Sequence, residues 1–216
     1  MTQVLSHAPA PASPLAAASS LAPASPLAPA PGSKIADPGP LGLAAFALTT
    51  FILSTFNAGL LPKSAEVVIL GVALFYGGLT QLFAGLWEFA KGNTFGAVAF
   101  SSYGAFWMSF WYLLTQSGLT KDDAAEGVGI FMLAWTIFTA FMTMVTRRIS
   151  GLLFGLFSIL TITFVFLTVG AFASAPLLTQ IGGYLGLITA FTAWYGFFAG
   201  VMNLTGRGAL LPTWPR

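Results

Sequence analysis

Residues 75–107 constrain the fold of this chain more than any other part of the sequence. They contain much of two apolar stretches, which are separated only by residues 91–94. Each full stretch reaches the roughly 20 residues that a helix needs to cross the hydrocarbon core of a bilayer. The segment also carries Gln81, Glu88 and a Ser-Ser-Tyr run at 101–103. Polar side chains inside membrane helices usually face the bundle interior, so the pattern indicates a path for a small solute.

Composition places the chain in the membrane class and argues against several functions. Only 6% of its 216 residues are charged, against about a quarter in soluble domains. The chain has no Cys, and His7 is its only histidine, so it offers neither a thiol nor a Ser-His nucleophile. A net charge of +2 with scattered basic residues argues against nucleic-acid binding. No phosphate-binding loop is present, so we expect no enzymatic activity, no cofactor and no metal site.

The chain divides near residue 36. Residues 1–36 form an Ala/Pro/Ser tract whose recurring prolines prevent a continuous helix, and the tract lacks the unbroken apolar core of a signal peptide. We therefore predict a disordered cytoplasmic tail over 1–36. A six-helix transmembrane transport domain is predicted over 37–206, followed by a short cytoplasmic tail over 207–216.

Six apolar blocks follow from Pro40 onward. They predict an all-α integral membrane protein with six transmembrane helices. One side of the membrane then holds both termini and six of the Lys and Arg residues, whereas the opposite loops hold two. The positive-inside rule places both termini in the cytoplasm. The predicted spans are about 41–61, 66–90, 95–116, 127–146, 151–173 and 177–202.

Two polar side chains of the second span are candidates for lining the path. Gln81 and Glu88 share a face of that helix with Gly77 and Ala84 by their spacing. Glu88 is a carboxylate inside a span, and two interpretations stay open for it. It is either a protonatable group at the mouth of the path, which makes it a proton-relay candidate, or a structural carboxylate paired with Lys91 one turn later.

Further path-lining candidates lie in the first and third spans. Asn93 and Thr94 precede the third span, where either side chain can cap the helix. Helix starts also carry a partial positive charge that suits an anionic solute, so capping and solute binding both stay open. Ser102 lies beside Tyr103 and can line a narrow lumen, and Asn57 occupies the later part of the first span. The absence of central Lys and Arg favours a small, weakly charged solute.

The segment DPGPLGLAAF at 37–46 resembles the signature of the acetate uptake transporters, the succinate–acetate permease family. The resemblance continues through FYGG at 75–78, QLFAGLWEF at 81–89, KGNTFG at 91–96 and SSYGAFW at 101–107, and it covers residues 37–212. Asp37 and Gly39 replace the usual Asn and Ala of the signature. Asp37 adds a negative charge near the pore entrance, which is expected to affect the preference between acetate and dianionic substrates.

The resemblance implies a homohexamer in the cell membrane, with a separate path through each subunit. It implies transport of acetate and, in some members, succinate. By motif position it implies a constriction of Phe46, Tyr103 and Leu160, and selection for solute size at Ala193. Coupling to protons through Glu88 and channel-like passage down a gradient both fit these residues.

Two other functions stay open. An aromatic slot between six helices would also serve a channel for small neutral solutes such as urea or amides, although the signature at 37–46 argues against it. The third possibility is a membrane sensor or scaffold that transports nothing. The lack of a soluble signalling domain in the sequence weakens it.

Overall fold

The computed structural model describes residues 35–115, 118, 120, 123–206 and 210–216. Across these residues the chain forms six helices and one isolated β-bridge, so the predicted all-α fold is confirmed. The predicted tail over 1–36 lies outside the described residues except for its last two positions. The helices are α1 (Gly39–Asn57), α2 (Lys63–Lys91), α3 (Thr94–Thr115), α4 (Ala124–Thr146), α5 (Gly151–Phe172) and α6 (Pro176–Thr205).

The helices have the dimensions of membrane spans. Five of them, all except α3, are long and apolar enough to cross a bilayer by length and composition. Helix α3 has 22 residues, which is also long enough, and it carries Ser, Tyr and Trp residues among its apolar ones. A helix of this composition fits a position where polar side chains face the interior of a bundle.

Helix α1 ends earlier than the sequence suggested. Its last residue is Asn57, whereas the predicted span continued to residue 61. Gly59 has a φ of +73°, a left-handed conformation that favours glycine and ends a helix. Pro62 follows in an extended conformation, directly before α2 begins at Lys63. The link between α1 and α2 is therefore a defined turn.

Helix α2 changes its winding along its length. Its first turns, Lys63–Val68, are 3-10 helix, and an α-helical stretch follows over Ile69–Leu74. It widens into a π-helix over Phe75–Thr80 and returns to α-helix over Gln81–Lys91. The Thr80 hydroxyl donates to the Phe75 carbonyl five residues earlier at 3.0 Å. Single π-turns within helices are often found at functional sites, and this one directly precedes Gln81.

Helix α1 occupies the centre of the bundle. In its most apolar window 72% of the residues are buried, against 22% in α4. It packs against α2, α3 and α6. Glycines allow the close approach: a Cβ on Gly77 of α2 would lie 2.7 Å from the Thr49 side chain, and Gly183 of α6 lies against the backbone of Ala58. Side chains of α1 are therefore positioned to face several helices at once.

Residues 210–216 fold back onto the start of α5. The Gly151 N–H donates to the Trp214 carbonyl at 2.7 Å, and the Arg216 N–H donates to the Ile149 carbonyl at 3.1 Å. The Ser150 hydroxyl oxygen accepts from the Leu153 N–H at 3.1 Å and caps the helix. The amide groups at the start of α5 are thus satisfied within the protein.

Candidate functional site

Three cavities follow one another through the bundle. The first, named here the Glu88 cavity, lies between α1, α2, α3 and α5 and has a volume of about 40 Å³. The second, the Trp107 cavity, has a volume of about 30 Å³. The third, the Lys63 cavity, reaches the exposed Lys63 side chain at the far end of α2. The Trp107 and Lys63 cavities share Leu53 and Leu167 among their lining residues, so the three cavities lie in series along the bundle.

Shared lining residues connect the cavities. Phe46 of α1 and Leu160 of α5 line both the Glu88 cavity and the Trp107 cavity. Tyr103 of α3 lines the Glu88 cavity at the same junction, and its ring centroid lies 5.7 Å from that of Phe46. All three side chains are buried. The three residues that resemblance assigned to a constriction therefore meet where two cavities join.

The side chain of Tyr103 lines the Glu88 cavity, and its hydroxyl contacts α4. Its ring packs against Phe138 and Trp135, with centroids 5.6 and 6.1 Å away. Its hydroxyl lies 2.9 Å from the Thr139 hydroxyl, which in turn donates to the Trp135 carbonyl at 2.7 Å. Because Thr139 has a single hydroxyl hydrogen, the Tyr103 hydroxyl donates to Thr139. The Tyr103 hydroxyl hydrogen is therefore used in the bond to Thr139 and is not available to a solute.

The Glu88 cavity carries the charged and amide groups of the path. Glu88 and Gln81 line it from α2 and are fully buried. Among the described residues, neither Glu88 carboxyl oxygen nor Gln81 Oε1 has a hydrogen-bond partner. Lys91 Nζ lies 3.8 Å from Glu88 Oε2 but only 2.7 Å from Asp37 Oδ1. Glu88 therefore lines the cavity and shares Lys91 with a second carboxylate, and its role as a proton relay stays a prediction.

Asn93 caps α3 and at the same time faces the Glu88 cavity. Its Oδ1 accepts from the Gly96 N–H at 3.1 Å, which leaves the Nδ2 hydrogens for other partners. A Cβ on Gly96 would lie 2.6 Å from Asn93 Nδ2 and 2.8 Å from Glu88 Cδ, so the glycine makes room for both groups. Thr94 is exposed and lines none of the three cavities. Asn93 thus both caps α3 and lines the Glu88 cavity.

The Trp107 cavity presents neutral hydrogen-bond donors. Within the part of the chain that the structure describes, Trp107 Nε1 and Thr50 Oγ1 are buried and have no hydrogen-bond partner. Buried polar groups are usually satisfied, so these two mark a place where a small polar molecule can bind. The sequence analysis did not single out Trp107 or Thr50 as path-lining residues. Their positions, four residues after Tyr103 and Phe46, would have indicated the same helix faces.

The remaining predicted residues differ in their surroundings. Asn57 lines both the Trp107 cavity and the Lys63 cavity. Ser102 is half-buried and lines none of the three. Ala193 is fully buried in the hydrophobic core and does not line them either. Among the described residues, no group of three or more acidic or histidine side chains is placed to hold a metal ion.

A bundle of six apolar helices around one narrow, partly polar path defines a membrane channel or carrier for a small solute. The sequence matches the GPR1/FUN34/yaaH family over residues 18–215, and the chain belongs to this family.

Named relatives and a solved structure extend the comparison. The chain is 43% identical over 179 residues to Ammonia transport outward protein 2 of Saccharomyces cerevisiae, with 80% of this chain and 64% of that protein covered. It is 41% identical over 196 residues to Acetate permease A of Emericella nidulans, with coverage of 83% and 66%. It thus spans just under two thirds of the length of these two fungal relatives.

The bacterial comparison covers nearly the whole relative. The chain is 37% identical over 182 residues to the Succinate-acetate/proton symporter SatP of Escherichia coli, covering 83% of this chain and 96% of that protein. A solved structure titled "Structure of the bacterial acetate channel SatP" matches with a TM-score of 0.77 and 37% identity. It covers 83% of this chain and 99% of the solved one. The six-helix fold is therefore the fold of that channel.

Proposed function

We propose that this chain carries acetate and related short-chain carboxylates, including succinate, across a membrane down a solute or proton gradient. The observation that carries the proposal is the junction of Phe46, Tyr103 and Leu160 between two cavities that hold polar groups. The names of the relatives, acetate permease and succinate-acetate/proton symporter, support the same solute class.

The junction separates solutes by the cost of removing their water. Hydrated inorganic ions lose too much solvation at an apolar ring of Phe46, Leu160 and the Tyr103 ring. Acetate has a methyl group that can contact these surfaces and a carboxylate that needs hydrogen bonds. The Trp107 indole N–H and the Thr50 hydroxyl supply donors as the carboxylate leaves the junction. These contacts offset part of the lost hydration.

On the opposite side of the junction, the solute meets Gln81, Glu88 and Asn93. The amides of Gln81 and Asn93 can hydrogen-bond a carboxylate, and Glu88 is the proposed proton relay. Ala193 lies in the core behind the cavity walls, so its proposed effect on solute size acts through packing of α6. Asn57 lies between the Trp107 and Lys63 cavities and offers the next polar contact along the path. Ser102 and Thr94 lie off the three cavities and have at most an indirect effect.

The proposal includes the arrangement of the chain in the cell membrane. We place both termini in the cytoplasm because six basic residues flank that side and two lie opposite. The Glu88 cavity then faces the cytoplasm. The resemblance supports a homohexamer of subunits, each with its own path, and a division into a tail over 1–36, a transport domain over 37–206 and a tail over 207–216.

Uptake of labelled acetate by proteoliposomes with the purified chain tests the function, with empty liposomes subtracted for passive diffusion of acetic acid. Saturable uptake that an inward proton gradient stimulates is expected for a symporter. Saturable uptake that ignores the proton gradient would indicate a channel for the anion. No acetate uptake by correctly inserted protein would contradict the proposal.

A channel for small neutral solutes is the second candidate, because one relative is named for ammonia transport. The same proteoliposomes separate the two candidates. Urea or ammonia flux with no acetate uptake would favour the second candidate. Acetate uptake that urea does not inhibit favours the first.

A further inference from the structure

Asp37, Lys91 and Glu88 form a buried charged group at the end of the Glu88 cavity, named here the charged triad. Lys91 Nζ lies 2.7 Å from Asp37 Oδ1 and 3.8 Å from Glu88 Oε2. The exposed fraction of each of these side chains is 3% or less. Buried charges are screened far less by water and salt than surface charges. One cation is thus shared by two carboxylates, and the triad is one negative charge in excess when both are ionised.

The members of the triad differ in their access to the path. Glu88 lines the cavity beside Gly39, whose N–H donates to Asp37 Oδ1 at 2.9 Å. Asp37 and Lys91 lie behind this wall. Lys91 is closer to Asp37 than to Glu88, and the Glu88 oxygens have no hydrogen-bond partner among the described residues. Asp37 thereby draws the cation away from the carboxylate that faces the solute.

We propose that Asp37 sets the charge selectivity of the path: by neutralising Lys91, it leaves a negative potential in the Glu88 cavity that disfavours dianions relative to monoanions. This inference rests on the proposed transport of carboxylates. The repulsion grows in proportion to the solute charge, so succinate as a dianion is opposed about twice as strongly as acetate. Removing the Asp37 carboxylate makes the net charge of the triad more positive by one unit, whether or not Glu88 carries a proton. The potential in the Glu88 cavity becomes more positive as a result.

A purely structural role for Asp37 makes a different prediction. Its Oδ1 accepts a hydrogen bond from Gly39 close to the start of α1, and the amide oxygen of an asparagine would accept the same bond. The replacement Asp37→Asn therefore keeps the shape and this contact and removes only the charge. A structural role predicts equal effects on acetate and succinate, whereas a selective role predicts a change in their ratio.

The test is the ratio of initial succinate to acetate uptake by proteoliposomes at neutral pH. We expect Asp37→Asn to raise this ratio on the order of tenfold, the scale of one poorly screened charge. Asp37→Glu retains the charge and is expected to keep the low ratio of the wild type. Asp123→Asn is the matched control, because its carboxylate is exposed and accepts a hydrogen bond from the Thr120 hydroxyl just before α4. Its ratio should equal that of the wild type.

Each outcome decides between the possibilities. Acetate uptake with an unchanged ratio in Asp37→Asn overturns the inference and leaves the proposed function intact. A raised ratio in both Asp37→Asn and Asp37→Glu assigns the effect to shape and also overturns it. If Asp37→Asn inserts poorly, Asp37→Ser removes the same charge with a hydroxyl that can still accept a hydrogen bond, and an unchanged ratio in that variant overturns the inference. No acetate uptake by the wild type rejects the proposed function itself.

Discussion

The two ends of helix α2 each carry a lysine paired with a carboxylate, and only one of these pairs is removed from solvent. At the first end, Lys63 Nζ lies 3.1 Å from Glu66 Oε1, with side-chain exposures of 66% and 28%. At the other end, Lys91 and Asp37 lie 2.7 Å apart with exposures of 3% and 0%. Similar distances therefore have different consequences. Water and salt weaken the first pair, whereas the buried pair depends on its partners for solvation.

Removal of each lysine gives the largest contrast between the two ends. Lys91→Met leaves two buried carboxylates without a cation, and we expect a loss of about 3–5 kcal/mol in the free energy of unfolding. Lys63→Met is expected to cost less than about 1 kcal/mol, since the pair is exposed. Thermal unfolding of the detergent-solubilised protein measures both. Equal effects of the two variants would contradict the contrast.

The Trp107 cavity extends the comparison to a part of the path where none of the described lining residues is charged. Trp107→Phe removes the indole N–H, and we expect acetate uptake to fall about tenfold because a hydrogen bond to a charged group is lost. Trp111→Phe on the same helix is the control, since Trp111 lines none of the three cavities. If correctly inserted Trp107→Phe takes up acetate at the wild-type rate, the indole N–H does not bind the solute.

The junction itself is tested by a change in size without a change in charge. Leu160→Ala widens the passage, and we expect uptake of lactate relative to acetate to rise several-fold, on the scale that one or two methylene groups provide. Leu152→Ala truncates another buried leucine of α5 that lines none of the three cavities. It should keep the wild-type ratio. An unchanged ratio in Leu160→Ala would place the constriction elsewhere.

The pH dependence of uptake distinguishes the carboxylates at the two ends of helix α2, Glu66 and Glu88. Protonation of Glu88 removes a negative charge beside Asp37, Lys91 and Asn93, so uptake of acetate is expected to rise as the pH falls. Glu88→Gln removes that charge at every pH, which should flatten the profile. Glu66→Gln makes the same change at the exposed end and should leave the shape of the profile unchanged. A wild-type profile in Glu88→Gln would leave this carboxylate with a structural role.

The smallest effect is expected from the amino-terminal tract. Deletion of residues 1–30 should leave acetate uptake unchanged, because the Ala/Pro/Ser composition offers no side chain for the path. Uptake by the shortened protein, normalised to the amount inserted in the bilayer, measures this. Lost transport from correctly inserted protein would show that the tract contributes to function.

Local sequence patterns were sufficient for the helices and for much of the wall of the path. Blocks of apolar residues predicted six helices, and motif positions in the resembled family identified Phe46, Tyr103 and Leu160, which meet at one junction. These features depend on residues close together in sequence or on recognisable segments. Ser102 shows that a residue next to a cavity-lining residue in the sequence need not line the cavity itself. It precedes Tyr103 by only one position, and the helix therefore turns its side chain about 100° away from that of Tyr103.

The contacts that give the site its chemistry join distant segments. Asp37 meets Lys91 across two helices, and the Tyr103 hydroxyl meets Thr139 on α4. Neither pair has a sequence spacing that predicts it, since both depend on how the helices pack. Nothing in the sequence indicated that the Trp107 N–H lacks a partner among the described residues, because aromatic side chains in a membrane helix are compatible with packing alone. Tertiary contacts therefore decided which polar groups face the solute.

The π-turn at Phe75–Thr80 changes how the wall of the path can be mapped experimentally. A helical wheel drawn with one period over all of α2 would assign residues before and after this turn to the wrong sides, because the wider turn advances the register by one residue. The chain contains no Cys, so single cysteines can be placed along α2 without prior replacement. Labelling by a water-soluble thiol reagent should show two regular patterns, with a slip of one position between Leu74 and Gln81.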